Sequence, residues 1–469
     1  MTNAPVRSPR WWFAAVVFLY GTLVASFVAF VVYRQQGLVE GTVDLNGFGA
    51  LARNLARGEG FSLGHGPTIR RGPLYPYFGA ALLRLFGSDD QTLPDAVFYR
   101  PLIVANCIML GLTCVVVWRL SRELFGARAA LLAAIVCPLV PQTLRYTGMT
   151  EVETSMGLLT ALLALTGLLF VRRPSIGTGV ALGVTAGAAT LAKPIVLLFP
   201  VLFVPLACLY WWRSGVLDRR AIVASLATFG CFGALLVPWS LRNSAITGGQ
   251  FRGISSNGPG EFLRGYVNAQ PKYFLLRQDF GGGGPGEKWD PEANTYEEDF
   301  LRPYGIPFYR SGKDSAGNAI MIPTPPSGMI SAQLELEKDR VEGAEVKRRV
   351  LHEPGAFLYK FSAQFASFWY VVETRKKSLI VGSIALIVLG FAGLGVWRAR
   401  RERTLVWPVV AVILYFNAIY AAFLAFARYS MPLYPTLTVL ASGGAVTLFE
   451  LVFRRAAPRR SAPPASELS

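Results

Sequence analysis

The sequence predicts an all-α polytopic membrane protein, with about ten transmembrane helices and interfacial helices in two long exported loops. Three observations predict it. Of the 469 residues, 52% are hydrophobic and 16% charged, where a soluble domain carries roughly a quarter charged. Apolar runs of about 20 residues, the length that crosses a bilayer, recur along the chain. Arginines gather in short stretches at the ends of these runs, the signature of cytoplasmic loops.

The first run, Trp11 to Tyr33, holds no charge. It is long for the apolar part of a signal peptide, and no small-residue cleavage site follows before Arg34, so it reads as an uncleaved span. Arg7 and Arg10 precede it. The other basic groups are Arg119/Arg122/Arg128, Arg172/Arg173, Arg213/Arg219/Arg220, Arg398/Arg400/Arg401/Arg403 and Arg454/Arg455/Arg459/Arg460. Placing them all in the cytoplasm gives one consistent zigzag. The spans then fall near 11–33, 97–119, 128–146, 154–171, 176–192, 195–212, 221–241, 378–397, 405–426 and 432–453. Residues 1–10 form a cytoplasmic N-terminus, 11–453 the transmembrane domain, and 454–469 a disordered cytoplasmic tail rich in Pro, Ala, Ser and Arg. Lys193-Pro194 breaks one long apolar stretch in two.

The formal charge of +17 is accounted for by these loop arginines, so no nucleic-acid partner is expected. Cys107, Cys114, Cys137, Cys208 and Cys231 all lie in apolar runs, without CxxC spacing. His65 and His352 lie far apart. No disulfide, metal site or cofactor is expected.

Two long segments, about 34–96 and about 242–375, fall on the exported side. In the first, Leu45, Phe48, Ala52 and Leu55 share one helical face, with Asp44 at the start. After a Gly58-Glu59-Gly60 break, Leu74, Phe78, Leu82 and Leu85 predict a second helix. Both read as helices lying in the membrane interface. The second segment contains Gly281–Gly284, Glu297–Asp299 and Pro323–Pro326, which read as mobile loop.

Several of these runs carry a family resemblance. Asp44, then Ala52-Arg53-Asn54-Leu55-Ala56-Arg57-Gly58-Glu59-Gly60-Phe61-Ser62, then Arg71-Gly72-Pro73-Leu74-Tyr75-Pro76 resemble the first exported loop of the GT-C glycosyltransferases. The similar branch is that of protein O-mannosyltransferases and lipid A aminoarabinose transferases. Leu124-Phe125-Gly126, Thr150-Glu151, Leu191-Ala192-Lys193-Pro194, Pro238-Trp239-Ser240-Leu241-Arg242-Asn243 and Ala427-Arg428-Tyr429-Ser430-Met431-Pro432 follow in order. The resemblance covers about residues 10–450.

It implies a cavity on the exported face of the inner (plasma) membrane, where a sugar leaves a polyprenyl-phosphate carrier and joins an acceptor. It also implies Asp44 as the general base. Protein mannosyltransferases carry paired Asp-Glu at this place and this chain has Asp44-Leu45, which favours a lipid or glycan acceptor over a protein. No DxD follows Asp44, so metal dependence is not implied.

The residue types suit the chemistry. An acceptor hydroxyl needs a positioned carboxylate to take its proton, and a single base suits displacement with inversion. The departing lipid phosphate needs fixed cations. Candidates at the exported boundary are Arg70, Arg71, Lys193, Arg242 and Arg428, with Glu151 as a possible second acidic residue. Asp44 has an alternative role as a helix cap, and Lys193 and Arg242 as interfacial anchors. The rival functions are a transporter or flippase for a lipid-linked substrate, with its site at mid-membrane, and a polysaccharide polymerase or ligase. Convergence of Asp44, one of Arg70 or Arg71, Lys193 and Arg428 on one cavity separates the enzyme from the transporter.

Overall fold

The structure is a computed structural model, and it describes residues 11–32, 44, 46–63, 65–88, 95–269, 301, 303, 310–313, 319–322, 330–372 and 375–456. Seven of its helices are long and apolar enough to cross a membrane: Trp11–Val32, Arg100–Phe125, Glu153–Arg172, Pro194–Arg213, Arg219–Ile246, Arg375–Arg401 and Ala427–Phe453. Three shorter apolar helices, Ala127–Leu139, Ile176–Ala192 and Trp407–Ala422, lie between them. Each falls on a segment expected from the sequence. The chain is a multi-pass, almost entirely helical membrane protein. Among the described residues the exception is a small antiparallel hairpin, Arg310–Lys313 with Ala319–Ile322.

The helices associate through small residues, as expected where lipid gives apolar side chains no reason to hide. Ile176–Ala192 lies so close to Arg219–Ile246 that a side chain at Gly179 would strike the Ala224 carbonyl. Thr228 Oγ1 donates to the Gly179 carbonyl at the same crossing, 3.1 Å away. Gly444 likewise admits the Phe391 carbonyl where Ala427–Phe453 meets Arg375–Arg401. Large apolar side chains such as Leu226, Leu241, Ile380 and Leu386 face outward.

Both helices expected in the first exported segment form, over Phe48–Ala56 and Leu74–Phe86. Phe48, Ala52 and Leu55 are buried. That face packs on protein and not into a lipid interface. The second helix differs more. Phe78 and Leu85 of the expected stripe are exposed, and Tyr75, Pro76, Gly79, Ala80 and Leu83 point inward. Small residues take the packing face here for the reason they do between the spans.

In the second segment expected on the exported side, the structure describes three helices. Helices Gly258–Asn268, Ser331–His352 and Pro354–Ser367 occupy it and pack on one another. On Ser331–His352 the buried residues are Ser331, Ala332, Leu334, Glu335, Lys338, Val341 and Glu342. Three of these seven are charged, and so hydropathy does not reveal the buried face. Gly281–Gly284, Glu297–Asp299 and Pro323–Pro326 lie outside the described residues.

Candidate active site

Three chain breaks bring the site together. At the first, Pro194 forces Lys193 out of helix into an extended conformation (φ −142°, ψ 113°), and the lysine side chain leaves the bundle at the end of Ile176–Ala192. At the second, the chain unwinds after Trp407–Ala422 and resumes with a single turn, Ala427–Ser430, which carries Arg428 and Tyr429. At the third, residues Glu151 and Val152 lead into Glu153–Arg172, with Glu153 in its first turn.

Their side chains form one ion-pair web. Arg428 directs Nε at Glu153 Oε1 (2.7 Å) and a terminal nitrogen at Glu151 Oε2 (2.8 Å). Lys193 Nζ shares Glu153 Oε1 at 3.3 Å. Asn46 Nδ2 donates to both Glu151 oxygens at 2.9 Å. Arg71 completes the web from the first exported segment, reaching the Asn46 carbonyl (3.3 Å) and Asn46 Oδ1 (3.4 Å). Burial, and Arg70 beside it, lower the Arg71 guanidinium to about 10, so it remains a cation at neutral pH. Glu151 is fully buried. Its burial pushes the carboxyl up to about 7, against the opposing pull of Arg428.

The web forms one side of a cavity of about 400 Å³. Arg70, Arg71, Lys193 and Arg428 line it, against the carboxylates Glu153 and Glu261. A second wall is apolar: Ile195, Leu197, Leu198, Ile419, Phe423 and Leu424. Tyr420 and Tyr429 stack at 4.6 Å between the two, with Lys193 Nζ 5.0 Å from the Tyr429 ring. Four of the five expected phosphate-binding cations therefore converge.

Arg242 does not join them. It donates to the Thr68 carbonyl (2.7 Å), to Asn243 Oδ1 (2.9 Å) and to the Phe61 carbonyl (3.5 Å), and lies over the Trp239 ring. Asp44 is not part of the cavity lining either. Its Oδ2 accepts the Ala50 N–H at 2.7 Å in the first turn of Phe48–Ala56, but the N-cap of that helix is Gly47 and not Asp44. It stands close behind the web, and its charge contributes to the raised pKa of Glu151. Among the described residues there is no cluster of three or more His, Cys, Asp or Glu side chains able to hold a metal.

Glu153, beside Glu151 at the mouth of the fourth expected span, reads from sequence as an interface anchor or a structural salt bridge, and it pairs with Arg428 and Lys193. Asn46 and Glu261 carry no signal in the sequence, because neutral and acidic polar residues are ordinary in exported loops.

Such a fold, with a cation-lined cavity beside an apolar wall, is that of a polytopic membrane protein. Residues 70–239 match the family of dolichyl-phosphate-mannose-protein mannosyltransferases, a stretch that includes Arg70, Arg71, Glu151 and Lys193. Among solved structures, the chain is similar to the archaeal oligosaccharyltransferase AglB from Archaeoglobus fulgidus, in complex with an inhibitory peptide and a dolichol-phosphate. That match has TM-score 0.53 and 15% identity, over 98% of this chain and 53% of that one. The apo form of the Archaeoglobus fulgidus enzyme gives TM-score 0.54 and 16% identity, over 95% and 52%. The chain thus spans about half the length of these structures. ArnT from Cupriavidus metallidurans in the apo state overlays at TM-score 0.38 with 13% identity, over 92% and 78%, too loosely to carry an argument. No curated protein matches the chain.

Proposed function

We propose that the protein moves a sugar from a polyprenyl-phosphate donor to a lipid or glycan acceptor, at the exported face of the inner (plasma) membrane. The observation that carries this is the convergence of Arg70, Arg71, Lys193 and Arg428 on a cavity whose other wall is apolar. A lipid phosphate has the same two-sided character. On the cavity lining itself, four cations face only the two carboxylates Glu153 and Glu261, and this net positive lining suits an anionic phosphodiester. A transporter site would sit at mid-membrane. These charges instead gather where helices begin or end, beside the exported segments 34–96 and 242–375.

In the proposed reaction the acceptor hydroxyl oxygen bonds to the anomeric carbon as the bond from that carbon to the phosphate oxygen breaks. The hydroxyl proton passes to the base, and the polyprenyl phosphate leaves with the negative charge. Arg428, Lys193 and one of Arg70 and Arg71 hold that charge as it develops. One base and no nucleophilic carboxylate suit inversion. We assign the base to Asp44. Its Oδ2 is occupied by the Ala50 N–H, which fixes the carboxylate in orientation. Glu151 is the second candidate, because a carboxyl raised to about 7 is matched to neutral pH. No metal or cofactor enters the scheme.

Mass spectrometry of a strain lacking the protein tests the reading. It should show one sugar missing from the envelope lipids or glycans, and the corresponding polyprenyl-phosphate sugar accumulating. Unchanged glycans and no accumulated carrier would overturn it.

A further inference from the structure

Two buried titratable side chains on the second exported segment touch no substrate wall, yet each holds the backbone next to one. Glu335, on Ser331–His352, is 2% exposed. Its Oε1 accepts the Thr68 hydroxyl at 2.6 Å and its Oε2 the Ile69 N–H at 2.8 Å. Thr68 Oγ1 in turn accepts the Arg70 N–H at 3.1 Å. The next two residues along that backbone are Arg70 and Arg71, on the cavity wall.

Lys360, on Pro354–Ser367, is 0% exposed. Its Nζ donates to the Ala422 carbonyl at 2.7 Å and to the Phe262 carbonyl at 2.8 Å. Gln364, one turn on, donates to the Ala421 and Phe423 carbonyls (both 3.3 Å) and accepts the Ala425 N–H (2.6 Å). Ser367 donates to the Ala425 carbonyl at 3.2 Å. Positions 360, 364 and 367 form one stripe of the helix. That stripe satisfies the backbone of the unwound stretch that leads to Arg428 and Tyr429. Unwound backbone within a membrane protein survives only where protein supplies its hydrogen bonds. Phe262 belongs to Gly258–Asn268, the helix that presents Glu261 to the cavity. Burial lowers the Lys360 amine to about 6, so at neutral pH it is largely uncharged, with two hydrogens for its two carbonyls.

We propose that Glu335 and Lys360 are positioning residues through which the second exported segment fixes the Arg70–Arg71 wall and the Arg428–Tyr429 wall relative to one another across a lipid-phosphate site. The inference rests on the proposed function, since it takes the cavity's ligand to be a polyprenyl phosphate. A site loosened by about an ångström loses much of its affinity although every contact residue is still present.

The test uses the full chain in detergent, with undecaprenyl phosphate and dolichol phosphate as separate probes. Affinity is read from the ligand-dependent shift of the melting temperature. The variants are Lys360→Met, Glu335→Gln and Ser367→Ala, with the exposed Lys347→Met as control. A residue with a purely structural role would lower the melting temperature and leave the affinity unchanged. The proposal expects apparent Kd to rise about tenfold for Lys360→Met and about threefold for the two milder variants, with Lys347→Met unchanged. Glu335→Gln and Ser367→Ala carry the test if Lys360→Met fails to fold. Variants that are folded and bind either lipid as wild type does would overturn the positioning role while leaving the proposed function intact. A wild type that binds neither lipid would overturn both.

Discussion

Arg242 and Arg428 give the same signal in the sequence and meet opposite fates. Each is an arginine at the end of an apolar run that the sequence reading places on the exported side, beside aromatic residues. Arg242 spends its donors on carbonyls of the first exported segment, at Thr68 and Phe61. It ties that segment to the Arg219–Ile246 helix and lies outside the cavity. Arg428 faces two carboxylates, Glu151 and Glu153, and lines the cavity. The difference lies in what approaches each arginine: peptide carbonyls fix a loop, whereas carboxylates hold a guanidinium in place at a surface where an anion can reach it. Position in the membrane map therefore does not by itself mark a cation of the cavity wall.

The largest expected effect comes from Asp44, the proposed base behind the Arg428 web. Asp44→Asn keeps an acceptor for the Ala50 N–H, since asparagine caps helices about as well as aspartate. It removes basicity, and transfer should fall by about 10²–10⁴-fold at unchanged expression, measured as sugar transfer in isolated membranes. Near-normal turnover in this variant would pass the base to Glu151.

Arg428→Met comes next. It leaves Glu151 and Glu153 buried without their shared guanidinium, and breaking such an arrangement costs about 3–5 kcal/mol. Both melting temperature and polyprenyl-phosphate affinity should fall. Lys193→Ala removes one charge-assisted contact, worth about 1.5–3 kcal/mol. It should weaken donor binding with little loss of stability, because Lys193 is the more distant partner of Glu153, at 3.3 Å against 2.7 Å for Arg428. Arg242→Met sharpens the comparison: the melting temperature should drop while the affinity of the folded fraction for polyprenyl phosphate stays within about twofold. If Arg242→Met costs affinity as Lys193→Ala does, the distinction between loop anchor and phosphate ligand fails.

Much of this fold was legible because bilayer physics is blunt. Apolar length located the long apolar helices, down to the break at Lys193-Pro194. Proline and lysine at a helix end announce a change of direction wherever they occur. The site was legible in part, through cations at membrane boundaries. The second exported segment was not. Glu335, Lys338, Glu342, Lys360 and Gln364 are buried in it, and buried polar residues give a helix no apolar stripe to recognise. Their burial depends on partners hundreds of positions away, such as Thr68 for Glu335, and single-sequence periodicity carries no information about such pairs. The same holds for Asn46, whose role is set by Glu151 and Arg71.

The smallest expected effect concerns Glu151, the carboxyl that separates the Arg428 region most sharply from the Arg242 region, where no carboxylate is bonded to the arginine. Burial raises the folded pKa of Glu151 to about 7 from an ordinary 4.5. The folded chain therefore holds this proton more tightly than the unfolded chain. Stability from the neutral form is complete below about pH 4.5 and is lost as pH rises through about 7. Glu151→Gln has no such proton to lose, and its amide can still accept from Asn46 and Arg428. Its stability relative to wild type should thus rise across the window, by at most about 1.4 kcal/mol for each pH unit. Melting curves of both proteins in detergent, from about pH 4.5 to 7.5, measure the difference directly. A gap that stays constant with pH would mean that Glu151 is ionised throughout, held as a permanent partner of Arg428, and would remove it as an alternative base.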